Sequence, residues 1–148
     1  RVHRLGEAAD RGDALGGDPE GRLKIRLVDG LPIVSGSVTV AGRTVKLAHA
    51  LLDTGSGGTL VSADRLLEIG VEAEPSDRIV SIRGVGGVEY VVQKRASEIR
   101  LGDLVVREVP IQIGSMTYGF ELDGIIGTDV LHAMGAVIDL GTLELRGP

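Results

Sequence analysis

The stretch Leu51-Leu52-Asp53-Thr54-Gly55-Ser56 places one carboxylate where an apolar run ends and a glycine-rich loop begins. Gly57 and Gly58 extend that loop. A carboxylate at the mouth of a buried strand sits in an ordered, partly desolvated setting, which suits acid–base chemistry. Gly55 lacks the Cβ that would keep another backbone away. Thr54 and Ser56 carry hydroxyls that can orient the carboxylate. An Asx turn closing a strand would also use Asp-Thr-Gly, and the tripeptide alone fits both roles.

Upstream of this loop the pattern has period two. Leu23, Ile25 and Leu27 alternate with Lys24, Arg26 and Val28, predicting a half-buried strand. Strands over 33–40 and 44–52 flank an Ala41-Gly42 turn. Downstream, Ser62 is expected to cap a helix over 63–69 that stops at Gly70. Two strands, 78–83 and 88–94, flank Gly84-Val85-Gly86-Gly87, and further strands cover 99–101 and 104–113. Gly124-Ile125-Ile126-Gly127 is an apolar run closed by glycines. Thr128 then reads as the cap of a second short helix that stops at Gly135, and a hairpin over 137–145 ends the pattern. The two halves echo each other: an apolar strand, a glycine corner and a short helix occur around Asp53 and again around Gly127.

Residues 1–21 mix charge, Gly and Ala, and are expected to form a flexible N-terminal arm or linker, although a short helix over 7–14 also fits. The expected folded domain is 22–148. With 43% hydrophobic residues the chain can bury a core without disulfides or metal. Aromatics are confined to Tyr90, Tyr118 and Phe120, so that core must be aliphatic. β-Branched residues and 23 glycines favour an all-β protein. A net charge of -5 without basic runs argues against nucleic acid. The absence of cysteine excludes thiol nucleophiles and Cys-ligated zinc, and the histidines form no His-Glu-x-x-His pattern. Neither a metal nor a cofactor is expected. No apolar run reaches the ~20 residues of a membrane helix. The chain begins at Arg1 and not at Met, which fits a processed or trimmed product; whether an upstream targeting or anchoring segment has been removed is left open, as is localisation.

The active-site segment around Asp53 resembles the signature of aspartic proteases. The downstream Gly124-Ile125-Ile126-Gly127-Thr128-Asp129-Val130-Leu131 resembles the second hallmark of the single-domain, retroviral-type (retropepsin-like) members. Residues 80–92 stand where that family carries its glycine-tipped flap hairpin, and the resemblance spans roughly 23–145. It implies an all-β, retropepsin-like acid protease fold: closed, barrel-like sheets with one or two short helices, working as a homodimer on a peptide or protein substrate. Asp53 would be the catalytic acid/base and Thr54 would join the two active-site loops. Gly55 would permit close approach and Ser56 would hydrogen-bond the carboxylate. Gly84, Val85, Gly86 and Gly87 would form the flap over the substrate, with Tyr90 lining it. Gly124, Ile125, Ile126 and Gly127 would pack behind the site.

A dimer also follows from chemistry. Hydrolysis by water needs one group to accept a proton and another to donate one. Two carboxylates about 3 Å apart repel by about 5 kcal/mol at an effective dielectric near 20, so one retains its proton. The chain has one Asp-Thr-Gly, and Asp129 reads as a charge in a helical first turn. The second carboxyl must then be Asp53 of another copy.

Other chemistries fit less well. Gly55-Ser56-Gly57-Gly58 lacks the glycine a nucleophile elbow needs at Thr54, and no spacing pairs His49 or His132 with Ser56. Gly84-Val85-Gly86-Gly87 leads into Val88-Glu89-Tyr90-Val91-Val92, a strand pattern, so it is no dinucleotide loop. The competing reading is a non-catalytic dimerisation or peptide-binding module on the same fold.

Overall fold

The computed structural model describes residues 16–84, 87–116 and 121–148. In chain order its elements are β1 (Leu23–Lys24), β2 (Arg26–Val28), β3 (Leu31–Val40), β4 (Arg43–Leu52), β5 (Leu60–Ser62), α1 (Ala63–Glu68), β6 (Arg78–Gly84), β7 (Gly87–Leu101), β8 (Leu104–Gly114), β9 (Gly124–Ile126), α2 (Thr128–Met134), β10 (Val137–Asp139) and β11 (Glu144–Arg146). Eight strands form one sheet in the order β2-β3-β4-β9-β5-β8-β7-β6, and β1, β11 and β10 form a second. The all-β expectation holds, with two short helices.

Turn chemistry starts the sheet. Ala41 and Gly42 have φ of 51° and 75°, the left-handed pair of a two-residue hairpin turn, and they join β3 to β4. β3 is buried at every position from Ile33 to Val38 because β4 and β7 both pair with it. Gly36 makes this possible: a Cβ there would lie 2.6 Å from Leu101 and 2.7 Å from the Arg100 carbonyl oxygen. The β3–β7 pairing curls the sheet back on itself.

One irregularity aims the site. Gly36 faces Leu47 and Val34 faces Ala50, so β4 carries one residue more than β3 between those pairs. Val45 and Leu47 are buried before this bulge, Ala50 and Leu52 after it. Side-chain direction alternates along a strand, so an extra residue swaps its faces. Without the swap, Asp53 would share the core-facing set of Val45 and Leu47. With it, Asp53 leaves the opposite side.

The core is aliphatic, as composition requires, with Val34, Val38, Leu47, Val61, Ile99, Ile111 and Ile126 all essentially inaccessible. Each such side chain contributes about 1.5–3 kcal/mol on burial.

Three local expectations are corrected. Residues 23–27 do not form one strand: β1 pairs with β11 while β2 pairs with β3, and the chain changes sheets at buried Ile25. Leu27 is consequently 54% exposed. Strands expected at 88–94 and 99–101 are parts of the continuous β7, because β6 pairs with it from Gly87 to Gln93 and β8 takes over from Val92 to Leu101. Finally, Thr128 is the first residue of α2 and not its cap, a position held by Gly127 without a side-chain bond. The helix over 63–69 fares better. Ser62 Oγ accepts the Arg65 N–H at 3.3 Å at its start, and Gly70 follows with φ of 75°.

Within the stretch expected to be an arm, residues 1–15 lie outside the described residues. Asp18 is buried, accepting N–H groups of Glu20 and Arg22 at 3.0 and 2.8 Å, so the end of that stretch packs with the body.

Candidate active site

β9 is inserted between β4 and β5, and this creates the site. Ala50, Leu51 and Leu52 pair in parallel with Gly124, Ile125 and Ile126. On its other side β9 runs antiparallel to β5, with Leu60 opposite Ile125 and Val61 opposite Gly124. The two echoing segments of the sequence therefore lie side by side. Asp53 continues the ladder, its N–H donating to the Ile126 carbonyl at 3.0 Å.

The loop then turns sharply. Gly55 N–H donates to Asp53 Oδ1 at 2.9 Å, and Ser56 N–H to the Asp53 carbonyl at 3.2 Å. The Asx turn and a carboxylate facing the cleft thus coexist in one residue. Asp53 is half-buried, and Thr54 and Gly55 are exposed. Ser56 departs from its expected role: its hydroxyl donates to the Gly58 carbonyl at 2.7 Å, so it shapes the loop and not the carboxylate.

From behind, α2 and Thr59 clamp this loop. Thr128 donates both its N–H (2.8 Å) and its hydroxyl (3.1 Å) to the Ser56 carbonyl. The fully buried Thr59 hydroxyl donates to Asp129 Oδ1 at 2.8 Å and accepts the Gly127 N–H at 3.0 Å. Asp129 Oδ1 also takes the Val130 N–H at 2.8 Å, so its place in the helical first turn is as expected. Gly127 admits no larger residue, since a Cβ would collide with the Gly58 carbonyl and lie 2.8 Å from the Ser56 carbonyl oxygen. Gly124 and Ile126 are buried and Ile125 is half-buried between Leu51 and Leu60.

A second clamp holds the start of β9. Asp123, only 2% exposed, accepts Arg65 Nε at 2.8 Å and the His49 N–H at 2.9 Å. The Asp123 hydrogen bond and charge hold the Arg65 guanidinium above its ordinary pKa. His49 Nδ1 lies 3.2 Å from Glu121. Neither Arg65 nor Asp123 stood out in the sequence, where each reads as one more surface charge.

Above the loop, β6 and β7 pair from Arg78–Gln93 to Gly84–Gly87. Between this hairpin and the loop runs a cleft of about 840 Å³, lined among others by Asp53, Gly55, Gly58, Ile82, Glu89 and Gln112. Val85 and Gly86, expected at the hairpin tip, lie outside the described residues. Tyr90 is 74% exposed and does not line the cleft. A second hollow of about 430 Å³ lies beside Lys94, whose ammonium is already engaged by Asp77 at 2.7 Å and Glu74 at 3.2 Å.

An all-β domain carrying Asp-Thr-Gly at the foot of a cleft, beneath a hairpin, has the form of a protease. Residues 36–130 match the aspartyl protease family, and the chain belongs to it. The retropepsin-like resemblance drawn from the two motifs is borne out. Among curated proteins no match is found.

Proposed function

We propose that the protein is an aspartic endopeptidase in which two copies of Asp53, one from each subunit of a homodimer, activate a water molecule against a peptide bond. The observation that carries this is the seating of Asp53: a half-buried residue whose main-chain N–H is tied to the Ile126 carbonyl and whose carboxylate accepts the Gly55 N–H as it opens into a cleft. A single carboxyl cannot act as both proton acceptor and donor in one step. A two-fold axis beside the exposed Thr54 and Gly55 would bring the second within reach.

In this reading one Asp53 is ionised and takes a proton from the water while the other, protonated, supports the carbonyl oxygen. The attacked carbon becomes tetrahedral, the amide nitrogen gains a proton, and the C–N bond breaks to leave a carboxylic acid and an amine. Thr54 would join the loops across the axis. The β6–β7 hairpin would act as a flap, opening to admit an extended peptide and closing to exclude water. The curled sheet with its β3–β7 pairing supports the closed, barrel-like form of this fold.

The decisive experiment replaces Asp53 by Asn and compares digestion of a peptide library from acidic to neutral pH. Wild type is expected to cleave, and the variant to lose at least about a thousandfold in rate while keeping its fold and dimer. A wild-type protein that dimerises but cleaves nothing would favour the binding-module reading instead.

A further inference from the structure

Along β8 the side chains alternate between two surroundings. Ile111 is fully buried in the core, and Gln112, the next residue, lines the cleft that holds Asp53. The main chain fixes its place: Gln112 N–H donates to the Thr59 carbonyl at 2.9 Å, and Gln112 runs parallel to Leu60 just after the active-site loop. The residue is only 9% exposed, yet its Oε1 is buried without a hydrogen-bond partner among the described residues. Buried amides are ordinarily paired, and one left unpaired at the wall of a cleft points to a ligand.

The floor beside this amide is bare. A Cβ on Gly58 would stand 2.7 Å from Gln112 Oε1, and one on Gly57 would meet nothing within 4 Å. Gly57 thus leaves room for a side chain that the protein itself does not supply, while Gly58 lets the loop lie directly against the amide. The far wall carries Arg83 and Glu89, charges of opposite sign, which give the cleft no strong preference for a charged group.

We propose that Gln112 is a specificity-determining residue, selecting a substrate side chain with a neutral carboxamide (Asn or Gln) at the position lying over Gly57. The inference rests on the peptidase reading. A primary amide donates through nitrogen and accepts through oxygen, so a second carboxamide satisfies both ends in one planar geometry. An aliphatic side chain of similar size would leave the amide without a partner, and sites built around buried polar groups discriminate strongly against such ligands. The two-fold axis supplies two copies of Gln112, so the preference falls at one position on each side of the scissile bond.

Cleavage-site profiling with a randomised peptide library tests this, using wild type, Gln112→Leu and Gln112→Met, with Asp53→Asn as the blank. Wild type is expected to favour Asn or Gln over Leu by about tenfold or more in kcat/KM at those positions. Both Gln112 variants should invert that ratio toward Leu while still cleaving aliphatic peptides. Because the readout is a ratio, loss of folded protein does not imitate it, and Gln112→Met nearly preserves side-chain volume if Gln112→Leu folds poorly. A wild-type preference for aliphatic side chains there, or a ratio unchanged in both variants, overturns the role of Gln112 and leaves the peptidase reading intact. A wild-type digest identical to the Asp53→Asn blank overturns both.

Discussion

At the scale of single residues, Thr59 shows how much of the site depends on groups that never touch a substrate. Its hydroxyl satisfies the Gly127 N–H on one side and Asp129 on the other, in a place without solvent access. Thr59→Val keeps the shape and removes both bonds. Leaving the Gly127 donor buried and unpaired should cost about 1–3 kcal/mol, measurable as a lower midpoint in urea unfolding with an unchanged slope. Because Gly127 abuts the loop after Asp53, activity should fall further than the loss of folded protein explains. Stability equal to wild type would show the hydroxyl pairing to be unimportant. The sequence told little of this, since Leu51-Leu52-Asp53-Thr54-Gly55-Ser56 is informative by itself whereas a threonine between glycine and leucine is not.

Among the elements, the β6–β7 hairpin is tied down at its base. Lys94 on β7, with its side chain 8% exposed, lies 2.7 Å from Asp77 just ahead of β6. The Lys94 hydrogen bond, reinforced by the Glu74 N–H, holds the Asp77 carboxyl below its ordinary pKa. The folded state therefore binds the proton less readily than the unfolded chain, where a free aspartate titrates near about 3.9. The stabilisation is present in full above that value and is lost as pH falls through the lower, folded one. Asp77→Asn should consequently reduce Tm at pH 7, and the gap from wild type should narrow as the buffer is taken below about pH 4. A gap independent of pH would mean that the carboxylate charge is irrelevant to the hairpin. The hairpin was legible from alternation on either side of Gly84 and Gly87. The full length of β7 was not, because charged residues from Lys94 to Glu98 interrupt the apolar pattern while β8 and β3 still supply partners to its backbone.

For the whole molecule, the governing property is the number of copies a working site requires. In the proposed homodimer the two subunits share the carboxyl pair, so specific activity should decline on dilution, in step with the dimer fraction seen by sedimentation. Adding inactive Asp53→Asn protein should depress wild-type activity through mixed dimers. Constant specific activity in a sample that sediments only as monomer would end the two-copy mechanism. The net charge is -5, and among the described residues no helix is long and apolar enough to cross a membrane.

Sequence by itself determined what depends on neighbours a few residues apart. The carboxylate loop, the glycine corners, the two-residue turn at Ala41-Gly42 and the aliphatic core are all of this kind, because φ preference, side-chain size and strand alternation act locally. Tertiary structure alone decided which distant groups meet. Thr59 reaches Asp129 across 70 positions and Arg65 reaches Asp123 across 58. Gln112 meets the loop after Asp53 only because β8 lies beside β5. No local preference encodes such meetings. They arise when β9 slots between β4 and β5 and the buried polar groups must find partners in the space that remains.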